Sequence, residues 1–352
     1  MKEYIGCDGH KQYSVFVAVD ELGRAGPAQR VKHQCSEFQE YLRGLPPGSP
    51  IALETSGHWY WMVDAMEQAG HHPVLVHARK AKLLMGLVNK TDKLDAKGLA
   101  TLLRNGTVPS VWIAPGALRD QRELPRLRMT FVRMRTALKN RIHAAFAKYG
   151  IAFPEVSDLF GVAGRELLEG RRSQLPPETQ RAVRDELALL DPLQDQIEAL
   201  EVRIQAVVRA TPVMERLQTL PGVGPILAIV LALELGTIDR FPQAEHFASY
   251  SGTVPRVVES GGHRRYSGAV RQDVNHYLKW AYVEAANCIV LNQKRWEERH
   301  VVQLYQRLCR RKGHAKAIVA VARHLAEASF WMLKRGEPYR EPAWTRRPVP
   351  RG

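Results

Sequence analysis

Two aspartates three residues apart open the stretch Thr91-Asp92-Lys93-Leu94-Asp95-Ala96-Lys97. Residues at i and i+3 share a helix face, so a helix starting at Thr91 points both carboxylates the same way. Side by side, such charges raise each other's pKa unless a cation or a basic partner lies between them. Two more acids stand where short apolar runs stop, Asp8 after Tyr4-Ile5-Gly6-Cys7 and Glu54 after Ile51-Ala52-Leu53. Four carboxylates gathered at one edge repel one another, but are tolerable around Mg2+, a hard cation that takes carboxylate and phosphate oxygens together. The plainer reading of Asp92 and Asp95 is that they favour the positive end of a new helix and are balanced by Lys93 and Lys97. A second stretch, Ser260-Gly261-Gly262-His263-Arg264-Arg265, lets backbone approach a ligand closely and offers cations to a phosphate. From these residues alone a polar, glycine-rich hairpin turn is the simpler account.

The elements that must position these side chains follow from hydropathy pattern. Tyr4–Asp8 and Tyr13–Val19 read as a strand hairpin turning at Gly9-His10, with a weaker third strand through Arg30–Lys32 and a helix to Leu42 capped by Ser36. Ile51–Leu53 is a buried strand, His58–Ala69 a helix, Pro73–Val76 a strand and Val111–Ile113 a last short strand. This alternation predicts a mixed sheet covered by helices, with strand-end acids converging on one edge and Asp92 and Asp95 brought to the same place. Leu118–Tyr149 is helical, restarted or kinked at Pro125, with an apolar seam of Leu127, Phe131, Met134, Leu138 and Ile142. Its basic residues, Arg126, Arg133 and Lys139 among them, leave the other face available to a phosphate backbone, or form a charged surface helix with no ligand. Leu190, Leu193, Ile197, Leu200, Ile204 and Val207 give the spacing of a coiled coil or a long helical hairpin. Leu220-Pro221-Gly222-Val223-Gly224-Pro225 precedes a helix to Leu235 and resembles a helix-hairpin-helix turn; Gly222 and Gly224 are its candidate phosphate contacts, and an ordinary helix-starting turn fits equally.

Composition narrows the class. The net charge of +15 points to a polyanion, most simply nucleic acid. The excess is concentrated: residues 116–150 carry nine basic and two acidic side chains, and 294–352 carry fifteen and five. The longest apolar run, Ile226–Leu233, is far shorter than the ~20 residues of a membrane span, and the N-terminus lacks a signal-peptide apolar block, so a cytoplasmic protein is expected. Cys7, Cys35, Cys288 and Cys309 form no Cys-x-x-Cys pair, against a zinc site or disulfide framework.

Three motifs in order, Gly6-x-Asp8-x-His10-Lys11, Glu54-Thr55-Ser56-Gly57 and Asp92-Lys93-Leu94-Asp95-Ala96, resemble the RuvC-like, ribonuclease-H-fold domain of the DEDD transposases. These form the insertion-sequence-110 family, with an insertion-sequence-1111-like branch and Piv-type DNA invertases as relatives. The resemblance implies that Asp8, Glu54, Asp92 and Asp95 bind Mg2+. Ser260-Gly261-Gly262, followed by Gly268 and Tyr277-Leu278-Lys279-Trp280, resembles the family's C-terminal transposase domain and puts Ser260, ahead of Ser249, Ser251 and Ser267, in the nucleophile's position. It further implies DNA as donor and target, a structured bridge RNA as guide, and a dimer-built tetramer whose helical middle joins two conserved domains. Where relatives carry Lys-x-Gly before an Asn, this chain has Arg271-Gln272-Asp273-Val274-Asn275.

The expected architecture is therefore α/β plus α. A RuvC-like sheet domain over 1–115 is followed by a basic helix and coiled-coil linker and dimerisation region over 116–211, the dimerisation role being what the resemblance implies. A mainly helical transposase domain over 212–335 and a flexible basic tail over 336–352 complete it. The expected nucleic-acid contacts are Lys11, Arg126, Arg133, Lys139, Gly222, Gly224, Gly261, Gly262, His263, Arg264, Arg265 and Arg271. The expected activity is DNA strand cleavage and rejoining through a phosphoserine. Its alternatives are a metal-dependent nuclease or junction resolvase that uses water, and a non-catalytic nucleic-acid scaffold.

Overall fold

A computed structural model describes residues 3–86, 91–261, 263–270 and 273–342. The expected contacts Gly262 and Arg271, and the tail from 343, lie outside the described residues. The chain divides into two compact units, 1–117 and 118–352.

The first unit opens with strands β1 (Glu3–Gly9), β2 (Tyr13–Asp20) and β3 (Gln29–Lys32), helix α1 (Cys35–Arg43) and strand β4 (Pro50–Glu54). Helix α2 (Trp59–Gln68), strand β5 (His72–Val76) and helices α3 (Ala78–Met85) and α4 (Asp92–Arg104) follow. The sheet order is β3-β2-β1-β4-β5. The first three strands are antiparallel neighbours, while β4 runs parallel to both β1 and β5. This mixed sheet is compatible with a ribonuclease-H-like domain. Side chains alternate across it, so Ile5 and Cys7 of β1 enter a core with Phe16, Phe38, Leu53 and Met62. Gly6 and Asp8 face the other way, toward α4. A Cβ on Gly6 would sit 1.9 Å from the Ala96 carbonyl oxygen, so glycine here lets α4 lie directly on the strand backbone.

Two details of this unit depart from expectation. Ser36 caps nothing: α1 begins at Cys35 with Gln34 at its N-cap and no side-chain capping bond. Val111–Ile113 forms no strand; pairing stops at one bridge between Val76 and Ser110 and the Val111 N–H donating to Leu75 O at 2.7 Å. Pro109 and Pro115 remove donors on either side, while Val111 and Ile113 still pack on the sheet core. The helix start at Thr91 is as expected, with its hydroxyl accepting from Leu94 N–H.

The second unit is helical with one small sheet. It contains α5 (Gly116–Ala147), α6 (Val162–Arg172), α7 (Pro177–Val207), α8 (Pro212–Gln218) and α9 (Pro225–Leu235). After a short 3-10 turn, α10 (Ala244–Tyr250), strands β6 (Pro255–Ser260) and β7 (His263–Val270), α11 (His276–Leu291), α12 (His300–Lys312) and α13 (His314–Arg335) complete it. Its centre is α9, apolar apart from Glu234 and buried from Ala228 to Leu235, packed against α8 and α11.

Helix α5 runs through Pro125 without restarting, and only the later part of the expected seam is buried, with Ile142 in a core and Leu138 packed against it. Leu127 and Met134 are exposed, whereas Arg119, Arg122, Pro125 and Met129 are buried. The reason is a polar one. Arg122 donates from Nε to Leu233 O at 2.8 Å and from Nη2 to Glu234 O at 3.0 Å, satisfying carbonyls at the end of α9. The coiled-coil spacing of α7 is used inside the chain. Arg128 bonds Glu201 at 2.7 Å, Arg135 bonds Gln194 at 2.6 Å and Arg141 bonds Glu186 at 2.6 Å. Numbers rise along α5 as they fall along α7, so the two form an antiparallel hairpin, with Ile142, Phe146, Val183 and Leu190 sharing a core with α6. No helix among the described residues is long and apolar enough to cross a membrane.

Candidate functional site

Asp8 sits at the end of β1, and Glu54 ends β4, one step beyond the Cys7–Leu53 pairing that puts the strands in parallel register. Both acids therefore stand at the same level of neighbouring strands. Asp92 and Asp95 occupy the first turn of α4, where the helix dipole favours negative charge. Because Gly6 admits α4 so closely, Asp92 reaches Asp8.

The closest group of potential ligand atoms is Asp8, His10 and Asp92, all within 4.8 Å of one another. His10 Nε2 lies 3.2 Å from Oδ2 of Asp8 and 3.2 Å from Oδ2 of Asp92. It is aligned for a hydrogen bond with neither. Tyr13 donates its hydroxyl to Asp92 Oδ2 at 3.0 Å, and the Arg30 guanidinium stacks 3.8 Å above the Tyr13 ring. Burial pushes the Asp8 carboxyl above the ordinary aspartate value; His10 opposes that, and the charges of Asp95 and Asp92 add to it. Asp95 thus acts on Asp8 through its charge, while neither Asp95 nor Glu54 belongs to the closest trio.

The donor set fits a divalent cation. Two carboxylates that repel each other, with one imidazole nitrogen 3.2 Å from both as a further donor, are what positive charge at that point would stabilise. Asp8 and Asp92 would hold it, with Asp95 and Glu54 flanking. His10 and Tyr13 were not among the expected site residues. The Asp8-x-His10 spacing carried a signal for the histidine; nothing in the sequence carried one for the tyrosine.

The other expected residues fall in several settings. Lys11 is exposed beside the trio. Arg126 is engaged within the protein: it bonds both carboxylate oxygens of buried Glu234, at 2.7 and 3.0 Å, and stacks on Tyr277. Lys139 lies over the Phe160 ring, its ammonium pKa lowered by burial. Arg133 is exposed. Gly222 has φ +78°, and a Cβ there would meet the Ala285 carbonyl oxygen of α11 at 2.2 Å, so its glycine serves packing; Gly224 is open. The backbone of Ser260 ends β6 and pairs with His263, with Arg264 and Arg265 next along β7 and Gly261 at φ +58° in the turn. Of the competing serines, Ser251 is buried and donates to Phe247 O at 2.8 Å.

A mixed sheet with clustered acids at its edge, and a separate basic helical unit, fit the class of enzymes that act on nucleic acid. Comparison with known proteins specifies it. Residues 5–151 match a model of DEDD transposases of the IS110 type, described as "Transposase", and residues 214–301 match "Transposase IS116/IS110/IS902 family". A probable family 20 transposase of Pseudomonas aeruginosa is 28% identical over 346 residues, covering 96% of this chain and 98% of that one. The transposase for insertion sequence element IS1111A of Coxiella burnetii is 25% identical over 342 residues, covering 96% and 91%. A putative transposase of Sinorhizobium fredii is 27% identical over 345 residues, covering 96% and 85%. The chain belongs to the IS110 family of transposases, and its activity is accordingly on DNA.

Proposed function

We propose that this transposase cuts and rejoins DNA through a serine ester, with Mg2+ held by Asp8 and Asp92 and flanked by Asp95 and Glu54. The observation that carries the reading is the meeting of Asp8 and Asp92, from a strand and a helix far apart in sequence, around an imidazole nitrogen 3.2 Å from both. A bound divalent cation supplies charge neutralisation and polarises the phosphate. Asp8 and Asp92 orient it, and Tyr13 fixes the Asp92 carboxylate through its hydroxyl.

Ser260 is the nucleophile in this reading. Its Oγ forms a bond to phosphorus as the bond from phosphorus to one deoxyribose oxygen breaks. The seryl proton leaves to a base and the departing oxygen takes one up. In rejoining, the hydroxyl of the incoming strand attacks the phosphoserine and returns the serine, so the bond's energy is retained without an external source. The supporting feature is the backbone pairing of Ser260, at the end of β6, with His263 at the start of β7, where Arg264 and Arg265 follow. A structured guide RNA and a dimer-built tetramer complete the proposal, supported by the family and by the basic surface.

The test compares cleavage of element-junction DNA by wild type, Ser260→Ala and Asp92→Asn, with guide RNA and Mg2+ present. Loss in both variants is expected. Cleavage persisting in Ser260→Ala would transfer the chemistry to water and make the protein a nuclease or resolvase. Cleavage persisting in Asp92→Asn would remove the metal centre assigned here.

A further inference from the structure

A cavity of about 540 Å3 opens between α5 and the start of α11, wholly within the second unit. That volume lies in the ~300–1,000 Å3 range of ordinary ligand sites. Met129 and Arg133, four residues apart, share one face of α5; Tyr277, Trp280 and Val283 give α11 a matching aromatic and apolar wall, with Lys279 beside them. Tyr277 and Trp280 are only half-buried, so part of each ring remains uncovered.

The charges at this cavity differ from those elsewhere on α5. Arg122, Arg126, Arg128, Arg135 and Arg141 are all bonded to carbonyls, carboxylates or an amide of the same unit. Arg133 and Lys279 have no carboxylate partner among the described residues, and no lining side chain is acidic. Two cations without a carboxylate partner among the described residues lie beside two half-buried aromatic rings, Trp280 and Tyr277, the latter with Arg126 on one face only, and an apolar floor; together they match one chemical object, a flat base joined to an anionic phosphate. Stacking on aromatic rings needs an unpaired base, because in a duplex both faces are already covered.

We propose that this cavity binds an unpaired DNA nucleotide, its base stacked on Trp280 and Tyr277 and its phosphate held by Arg133 and Lys279. The commitment to DNA rests on membership of the transposase family, whose substrate it is, and not on the serine mechanism. The site receives a nucleotide exposed where the duplex is opened for strand transfer.

The experiment uses the full-length protein and a short thymidine oligonucleotide with one central 2-aminopurine, whose fluorescence is quenched by stacking. Affinity is read by anisotropy against a duplex and an RNA of the same length. Wild type is expected to bind the single strand and quench the probe. Trp280→Leu should restore the fluorescence and weaken binding roughly five- to hundred-fold, the range of one lost base stack. Trp280→Phe should keep the quenching, which a purely structural role for Trp280 would not predict. Arg133→Gln and Lys279→Gln should each weaken binding and flatten the salt dependence by about one unit of slope. Unquenched probe on wild type, quenching unchanged in Trp280→Leu, or tighter binding of the duplex or the RNA would each overturn the assignment. No readout requires Ser260 or a metal, so failure of the serine mechanism and failure of this site are separate results.

Discussion

Asp8 and Asp92 are costly neighbours in the absence of a cation. Burial and two flanking carboxylates hold the Asp8 carboxyl above its usual range, and one imidazole offsets this only partly. A ligand that binds the folded state alone stabilises it by RT ln(1 + [L]/Kd), about 2.7 kcal/mol at a hundredfold excess over Kd. Thermal unfolding should therefore shift upward on adding Mg2+ in wild type and stay still in Asp8→Asn, as differential scanning calorimetry would record. The second unit has its own buried acid. Glu234 is 1% exposed, accepts two bonds from Arg126 and one from Asn275 at 2.9 Å, and lies near Arg122. Glu234→Gln leaves two guanidinium groups without their counter-charge, and breaking a buried pair in this way costs about 3 kcal/mol. Denaturant titration should show that loss; a change below about 1 kcal/mol would mean that water already screens the cluster.

At the scale of elements, the site depends on how closely α4 approaches β1. Gly6→Ala would place a Cβ 1.9 Å from Ala96 O, and the helix carrying Asp92 must move. Overpacking of this kind costs about 1–3 kcal/mol. The expected result is reduced stability together with loss of the Mg2+-induced shift. Gly222→Ala clashes comparably with α11 in the other unit and also strains a φ of +78°, yet should leave that shift in place. Much of this scaffold was legible in the sequence. Strands ending near Asp8 and Glu54 announced themselves by short apolar runs, and the stretch opening at Thr91 marked the start of α4. The approach permitted by Gly6 was not legible, because a lone glycine in a strand does not say which element lies over it. The buried face of α5 misled for a different reason. Hydropathy pattern treats arginine as surface, and here Arg119 and Arg122 lie inside, with Arg122 held by carbonyls at the end of α9. The spacing of α7 showed that it pairs, but not that its partner is α5 of the same chain.

For the molecule as a whole, the helical unit sets a pH limit on stability. Burial lowers the pKa of His324 to about 4, the nearby His300 ring at 5.0 Å adds to this, and the His324 Nε2 has no hydrogen-bond partner among the described residues. The folded pKa is below the unfolded one, so the unfolded chain takes up the proton first and stability falls as pH falls below 6.5. Between pH 6.5 and about 5 the histidine removes about 2 kcal/mol, and unfolding of His324→Gln should lack that component. Net charge was the clearest whole-molecule signal, since +15 pointed to nucleic acid before any fold was known. It did not say which cations are free. On α5 that was decided by acids and carbonyls contributed from α7 and α9, which leave Arg133 apart from its neighbours.

The central claim is that a serine, with metal assistance, carries the cut strand. The most direct measurement traps that species: protein, guide RNA, Mg2+ and junction DNA are quenched in denaturant, digested with protease and nuclease, and analysed by mass spectrometry. The account predicts a nucleotide attached to the peptide bearing Ser260, present with Mg2+ and absent with chelator or in Asp92→Asn. Cleaved DNA with no attached peptide, or attachment at a residue other than Ser260, would contradict it.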